Sequence, residues 1–271
     1  MTDTDHKGTA MITGASSGIG AIYADRLARR GHDLILVARN GDRLRALASR
    51  LSDTTGHAIE AIVADLTDAA DLGRVETVLR TDASITMLVN NAGVGAAAPL
   101  LVSDVNKMSD VIALNVGAVT RLTYAVVPGF VARGAGTIVN IASIVAIAPE
   151  VLNGVYGGSK AFVLALSQSL HHELAEKGIR VQAVLPGATA TEFWGIFSFP
   201  LANLPSAIVM SAESMVDAAL AGLDQGELVT IPALTDVADW DRFEAARQIL
   251  APNLSHAEPA ARYGVSLSKA A

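Results

Sequence analysis

The sequence predicts a single α/β domain built on a doubly wound parallel sheet with helices on both faces. Three observations lead to this class. Short runs rich in β-branched residues alternate along the chain with longer runs of helical periodicity. Each strand–helix pair takes up roughly 25 to 40 residues, the length of a βαβ crossover. Of the 271 residues, 51% are hydrophobic, which supplies the buried core that a sheet covered on both faces requires.

The elements follow one another in a regular order. Strands are predicted at residues 8–13, 33–38, 58–65, 86–90, 136–143, 179–185 and 228–231. Helices are predicted at residues 18–30, 41–51, 68–81, 103–133 and 156–177. In the first helix, Ile19, Tyr23 and Leu27 recur at helical spacing and define a buried face. Gly31 stands where a helix commonly ends in a left-handed residue.

Two regions depart from the alternation. Residues from about 191 to 212 are rich in aromatic, proline and small apolar residues, and we expect them to form a substrate lid. Residues 235–271 predict a helix at 237–250 followed by a polar, alanine-rich tail. Neither a linker nor a repeat separates these regions from the rest, so residues 1–271 are predicted to form one domain.

The composition excludes several classes of function. The net charge of −7 argues against a nucleic-acid partner, which would need a basic surface. The absence of cysteine excludes disulfides and a thiol nucleophile, and the spacing of His, Asp and Glu predicts no metal site. The most apolar stretch, 111–131, is interrupted by Asn115 and Arg121, and the polar first nine residues do not form a signal peptide. We therefore expect a cytoplasmic protein without a membrane segment.

A glycine-rich turn joins the first strand to the first helix. It runs from Thr13 to Gly20, with glycine at 14, 18 and 20. Glycine permits a tight turn and a close approach of the backbone to a pyrophosphate, which then meets the free N–H groups at the helix N-terminus. The predicted cofactor contacts of this turn are Gly14, Ser16, Ser17, Gly18, Ile19 and Gly20.

A second set of polar residues follows in the same order as in a known family. Tyr156 and Lys160 are four residues apart and share a helix face, and Ser143 ends the strand before them. With Asn115, the turn T-G-x-x-x-G-x-G and the segment N-N-A-G at 90–93, this pattern resembles the short-chain dehydrogenase/reductase family. The resemblance covers residues 8–231 and implies a Rossmann-like fold and an oxidoreductase.

The resemblance also assigns cofactor-binding residues beyond the turn. It implies that Asp65, with Leu66 beside it, holds the adenine amino group, and that the N-N-A-G segment lines the cleft. The resemblance implies that the P-G segment after the sixth strand, Pro186-Gly187, lies near the nicotinamide. A threonine after it would hydrogen-bond the carboxamide, and Thr191 is favoured over Thr189. The full set implied is Asp65, Leu66, Asn91, Ala92, Gly93, Tyr156, Lys160, Pro186, Gly187, Thr189 and Thr191.

The end of the second strand indicates which cofactor is used. Family members that prefer NAD place a carboxylate there, whereas this chain has Arg39 followed by Asn40. A guanidinium can pair bidentately with a 2′-phosphate, which a carboxylate would repel. We therefore predict NADP(H), with Arg39 as the main contact and Ser16, Asn40 and Arg43 as helpers. NAD(H), or use of both cofactors, remains an alternative.

The catalytic chemistry predicted is proton transfer coupled to hydride transfer. The pKa of free tyrosine is about 10, and a pKa near 7 would take about 4 kcal/mol, which a cation ~4 Å away at a dielectric of ~20 can supply. Lys160 is the predicted source of that charge. Ser143 would stabilise charge on the carbonyl oxygen. The resemblance implies that Asn115 holds a water that relays protons from Lys160.

The substrate side is predicted to be apolar. Four aromatic residues cluster in the lid, namely Phe193, Trp194, Phe197 and Phe199, and residues 95–101 and 145–155 would form the other walls. The expected substrate is a small apolar ketone, aldehyde or alcohol. A 3-oxoacyl thioester reductase and a non-catalytic NADP(H) sensor are the alternatives.

The predicted assembly is a homodimer or a homotetramer. A dimer would form through the helices at 103–133 and 156–177. The family's D-G-G segment, which helps to pack a tetramer, has no counterpart near the last strand.

Overall fold

The computed structural model describes residues 7–196 and 201–265. Within them the strands are β1 Thr9–Thr13, β2 Asp33–Ala38, β3 Ile59–Val63, β4 Ile85–Asn90, β5 Gly136–Ile141, β6 Ile179–Val184, β7 Thr189–Ala190, β8 Met210–Ser211 and β9 Val229–Thr230. The α-helices are α1 Gly18–Arg29, α2 Gly41–Thr55, α3 Ala69–Thr81, α4 Val105–Ile112, α5 Val119–Arg133, α6 Gly154–Leu174, α7 Ala212–Gln225 and α8 Val237–Ile249. These bounds confirm the predicted doubly wound α/β class.

The main sheet has seven parallel strands in the order β3-β2-β1-β4-β5-β6-β9. The strand β1 pairs with β2 on one side and with β4 on the other, and Ile12 lies between Leu36 and Val89. Strands β1 to β3 are added toward one edge of the sheet, and the strands from β4 onward are added toward the other edge. The order of strand addition therefore reverses between β1 and β4. In an open parallel sheet, ligands bind at the carboxyl ends of the strands beside such a reversal.

Helices cover both faces of the sheet. Helices α1, α2 and α7 bury Leu27, Leu44 and Leu220 against one face. Helices α3, α5 and α6 cover the other face, where Val75 and Leu122 are among the buried side chains. Each fully buried aliphatic side chain contributes about 1.5–3 kcal/mol relative to exposure, so these two cores fix the sheet that carries the site.

Three elements differ from the predictions. The predicted helix 103–133 is two α-helices joined by a π-helical turn, Ala113–Ala118, which contains Asn115. The strand β3 ends at Val63, two residues before Asp65, because the chain there turns toward α3. Helix α7 was not predicted, although its buried residues recur every three or four positions and Ser211 caps its N-terminus.

The contacts divide the chain into two compact units, residues 1–232 and 233–271. The second unit contains α8, in which no side chain is buried. Its aromatic residues Trp240 and Phe243 contact each other with ring centroids 5.2 Å apart.

One helical stretch of the described residues, Val105–Arg133, is long and apolar enough to cross a membrane. Half of its most apolar window is buried within the protein, where α5 packs beside α3. Because a core helix satisfies the same criteria, this stretch is weak support for a membrane span.

Candidate active site

The glycine turn between β1 and α1 is a preformed cradle. Gly14 and Gly18 have positive φ angles of 66° and 53°, which side chains rarely adopt. A Cβ on Gly20 would lie 2.4 Å from the carbonyl oxygen of Gly14, so no side chain fits there. Backbone atoms thus line the turn, and a phosphate can approach them closely.

The N-terminus of α1 leaves its N–H groups available to an anion. The N-cap residue Ser17 makes no side-chain capping bond, and the first turn carries no acidic residue. In contrast, Asn40 and Asp68 cap α2 and α3 through their side chains. The orphan N–H groups and the helix dipole of α1 therefore fit a pyrophosphate. Ser16 is half-buried, and Ile19 packs against the core.

The N-N-A-G segment holds this turn in place. The side-chain amide of Asn91 donates to the carbonyl oxygens of Thr13 and Gly14, at 2.8 and 3.2 Å. The Thr13 hydroxyl accepts from the backbone N–H groups of Asn91 and Ala92, each at 3.0 Å. These bonds join the carboxyl ends of β1 and β4 and fix the floor of the cleft.

Asn115 braces the segment after β4 against α6. Its amide nitrogen donates to the Val94 carbonyl at 2.9 Å and to the Ser159 hydroxyl at 3.1 Å, and its oxygen accepts from the Val94 N–H at 3.0 Å. A Cβ on Gly93 would lie 3.2 Å from that oxygen and 3.5 Å from Lys160 Nζ. The side chain is thus engaged within the protein, and its role in a water relay stays a prediction.

Ser143, Tyr156 and Lys160 meet at the carboxyl end of β5. Tyr156 and Lys160 are buried on one face of α6, and the Ser143 hydroxyl interacts with Tyr156 closely enough to lower its pKa. Lys160 donates from Nζ to the carbonyl oxygen of Ile141 at 2.8 Å. The same Nζ lies 5.9 Å from the centroid of the Tyr156 ring. The structure therefore brings together the three side chains that the sequence singles out.

The electrostatics of this group differ from the prediction. Burial raises the pKa of Tyr156 to about 12, against a smaller lowering by the Ser143 hydrogen bond. Burial also lowers the pKa of Lys160 to about 8. The expected lowering of the tyrosine pKa by Lys160 is absent because both groups are desolvated and Nζ is directed at the Ile141 carbonyl. The protein by itself therefore keeps Tyr156 protonated.

The substrate side of Tyr156 is apolar. Ala96, Val111 and Val145 are buried against it, and Phe193 packs on the same cluster with its ring centroid 6.2 Å from that of Tyr156. The predicted walls thus contribute residues to the site. Of the lid aromatics, Phe197 and Phe199 lie outside the described residues, and Trp194 donates from Nε1 to the Thr189 carbonyl at 2.8 Å.

The P-G segment connects the catalytic group to the glycine turn. The Pro186 carbonyl accepts from the Ile144 N–H at 3.0 Å, next to Ser143. Thr189 is buried and donates to the Gly187 carbonyl at 3.2 Å, whereas the Thr191 side chain lies 3.3 Å from the Cβ position of Gly18. Of the two threonines, Thr191 therefore lies closer to the glycine turn.

The adenosine end is exposed to solvent. Arg39 lies there with its guanidinium 3.9 Å from the Asp65 carboxylate. Hydrogen bonds from the Thr67 N–H and hydroxyl lower the pKa of Asp65, which stays ionised. The Leu66 side chain is buried in the core, so only its backbone can serve a cofactor.

The two predicted helpers at this end are engaged within the protein. The Asn40 side chain accepts from the Arg43 N–H, and the Arg43 side chain donates to Glu192 at 2.5 Å. Sequence reasoning missed Glu192 and Ser159. No local pattern marks Glu192, because its partner is 149 residues away. Ser159 was visible only as a variable position within Y-x-x-x-K.

Comparisons with known proteins agree with this fold. Residues 8–197 match the model of the family described as short chain dehydrogenase. A short-chain dehydrogenase from Sphingobium yanoikuyae in complex with NADPH is 53% identical, with a TM-score of 0.92 over 94% of this chain and 99% of that chain. A bulky-bulky ketone specific alcohol dehydrogenase from Comamonas testosteroni is 48% identical, with a TM-score of 0.87 over 94% of this chain and 98% of that chain.

A curated relative matches over a shorter length. The very-long-chain 3-oxoacyl-CoA reductase of Anas platyrhynchos is 37% identical over 188 residues, which are 68% of this chain and 60% of that protein. The chain thus matches less than two thirds of that relative's length. From the family match over residues 8–197 and the two similar structures, we conclude that this chain belongs to the short-chain dehydrogenase family.

Proposed function

We propose that the protein is an NADP(H)-dependent oxidoreductase that reduces apolar ketones or aldehydes to alcohols and catalyses the reverse reaction. The observation that carries this proposal is the group of half-buried Ser143 and buried Tyr156 and Lys160 beside an uncapped, glycine-lined helix N-terminus. The exposed Arg39 at the end of β2 supports NADP(H) over NAD(H), as does the NADPH complex of the 53% identical relative.

When bound, the nicotinamide supplies or accepts the hydride at the carbonyl carbon. The protein's own residues handle the oxygen and its proton. In reduction, the protonated Tyr156 hydroxyl donates to the carbonyl oxygen, and the Ser143 hydroxyl hydrogen-bonds the same oxygen as charge develops on it. Lys160, held on the Ile141 carbonyl, places a positive charge in the buried site and can replace the proton on Tyr156.

The apolar cluster around Tyr156 supports a substrate with hydrophobic groups beside its carbonyl. Val111, Val145 and Phe193 exclude water from the reacting oxygen and offer no charged partner. The 48% identical relative is a bulky-bulky ketone specific alcohol dehydrogenase, and the match covers 98% of that chain. We therefore favour bulky apolar ketones as the substrate class.

A 3-oxoacyl thioester reductase is the second candidate. It is favoured by the likeness to very-long-chain 3-oxoacyl-CoA reductase, which covers 60% of that protein. A third candidate is a non-catalytic NADP(H) sensor, which does not require a tyrosine and a lysine buried together. The burial of Tyr156 and Lys160 on one face of α6 favours turnover.

The test is oxidation of NADPH and NADH by the purified protein, with ketones, aldehydes and 3-oxoacyl thioesters as substrates. We expect turnover with NADPH and a preference for apolar ketones. A preference for oxoacyl thioesters would move the proposal to the second candidate. Tight NADPH binding without turnover on any of them would favour the sensor.

We further propose that the protein is cytoplasmic and forms a homodimer, or a homotetramer built from it. The apolar residues Val105, Ile112 and Tyr124 on the α4–α5 stretch are 73%, 51% and 71% exposed, which is unusual for a surface that remains in water. Light scattering coupled to gel filtration measures the mass, and a monomer would contradict this assembly.

A further inference from the structure

An exposed ion pair joins two distant parts of the cofactor-binding unit. Arg43, in the first turn of α2, donates from Nη1 to Glu192 Oε2 at 2.5 Å. The side chains are 52% and 67% exposed. Helix α2 follows β2, and Glu192 follows β7, close after β6. The pair therefore connects two chain segments from opposite halves of the sheet.

The Arg43–Glu192 pair lies across the edge of the sheet at which a dinucleotide would enter and leave. The sheet order places β2 and β6 on opposite sides of the β1–β4 boundary, where the order of strand addition reverses. A dinucleotide lies along the carboxyl ends of the strands across that boundary. A connection from α2 to Glu192 runs over the same edge, so it crosses the opening through which a dinucleotide leaves.

Both ends of the connection are anchored. The α2 end is fixed because Asn40 caps the helix through the Arg43 N–H at 3.1 Å. At the other end, the Thr191 side chain lies 3.3 Å from the Cβ position of Gly18, and Trp194 is tied to the Thr189 carbonyl. The ion pair thus closes a ring of contacts around the glycine turn, from α2 to residues 191–194 and back to α1.

We propose that the Arg43–Glu192 ion pair is a strap that slows dinucleotide release, with Glu192 acting as a positioning residue for cofactor retention. This inference rests on the proposed NADP(H) function. The strap acts on the shared part of the dinucleotide, so it retains NADPH and NADH alike. An exposed ion pair contributes a modest free energy, which corresponds to a factor of about two to five in a rate.

The test measures release of bound NADPH and NADH by stopped-flow fluorescence, with an excess of the oxidised cofactor as the chase. Glu192→Gln should accelerate release of both cofactors about two- to fivefold. In the wild type, rising salt should accelerate release toward the rate of the variant, because salt screens an exposed pair. Glu60→Gln, at an exposed position of β3, is the matched control and should leave both rates unchanged.

A double-mutant cycle isolates the pair. It is run with NADH, which has no 2′-phosphate for Arg43 to contact. Arg43→Gln and Glu192→Gln should each accelerate NADH release, and their combination should add little to either one. The charge-swapped variant Arg43→Glu/Glu192→Arg should restore slow NADH release, which a merely structural role of either residue would not produce.

Three outcomes would overturn the strap. Unchanged release rates in Glu192→Gln would show that the pair does not retain the cofactor. If Glu192→Gln released NADPH more slowly than the wild type and left NADH release unchanged, Glu192 would instead compete with the 2′-phosphate for Arg43. A wild-type protein that binds neither dinucleotide would refute the proposed function together with the strap, whereas normal binding with unchanged release would refute the strap alone.

Discussion

The two ends of the cofactor cleft differ in burial: the catalytic side chains are buried, and the charged side chains at the adenosine end are exposed. At the catalytic end, Tyr156 and Lys160 are 6% and 7% exposed and are fixed by hydrogen bonds within the protein. At the adenosine end, the Arg39 side chain is 69% exposed, and its nearest carboxylate is 3.9 Å away. Burial makes each polar contact at the first end strong and hard to replace, whereas solvent screens the charges at the second. We therefore expect packing to fix the chemistry and a few exchangeable charges to determine the choice of cofactor.

The largest effect is expected from removing the proton donor at the buried end. Tyr156→Phe should lower kcat by about 10²- to 10⁴-fold, the usual contribution of a positioned acid, while NADPH binding is retained. Steady-state kinetics and a fluorescence titration with NADPH measure the two quantities. Tyr263→Phe, at an exposed tyrosine of the second unit, is the control and should behave as the wild type. Near-normal turnover of Tyr156→Phe would refute the mechanism.

A smaller effect is expected at the exposed end. Arg39→Asp should reduce the preference for NADPH over NADH by about 10- to 100-fold, because a charge-assisted contact is replaced by repulsion of the 2′-phosphate. The measurement is kcat/KM with each cofactor. Arg180→Asp makes the same charge change at the amino end of β6 and should leave the ratio unaltered. An unchanged ratio in Arg39→Asp would show that Arg39 does not contact the 2′-phosphate.

The same contrast explains how much the sequence could predict. The fold class followed from strand and helix periodicity. The pairing of Tyr156 and Lys160 followed from a spacing that fixes a helix face, and Ser143 was added by the family resemblance. The α7 helix was not predicted although its apolar repeat begins at Ala212, because it directly follows a segment without helical periodicity. The π-helical turn at Asn115 depends on packing and has no local signature in the sequence.

Electrostatic details were the least predictable part of the site. The spacing of Tyr156 and Lys160 implied a charge that lowers the tyrosine pKa, but burial dominates and raises it to about 12. Desolvation depends on all the residues that pack around a group, and a short sequence motif does not identify those neighbours. The Arg43–Glu192 pair was beyond reach for a related reason, since it joins residues 149 positions apart.

The glycine turn lies between the two ends and offers a test of the cradle itself. Gly20→Ala should weaken NADPH binding by about tenfold and lower the free energy of unfolding by about 1–3 kcal/mol, because the new Cβ collides with the Gly14 backbone. Gly73→Ala, in α3 where no atom lies within 4 Å of the Cβ position, is the control. It should raise the free energy of unfolding by about 0.5–1 kcal/mol. Thermal denaturation and NADPH titration give both values, and unaltered NADPH binding in Gly20→Ala would argue against the cradle.

The smallest effect is expected from pH, and it should be seen only at the buried end. The pKa of Lys160 is lowered to about 8, so its charge is present below pH 8 and is lost as the pH rises through that value. Tyr156, with a pKa of about 12, stays protonated over the same range. Because kcat/KM for NADPH reports groups of the free enzyme, its value in ketone reduction should fall about fourfold between pH 7 and 8.5. The NADPH/NADH ratio should stay constant over this interval, since arginine does not titrate there. A flat kcat/KM up to pH 10 would show that the Lys160 charge is not required, and the cation would then serve only to hold α6 on β5.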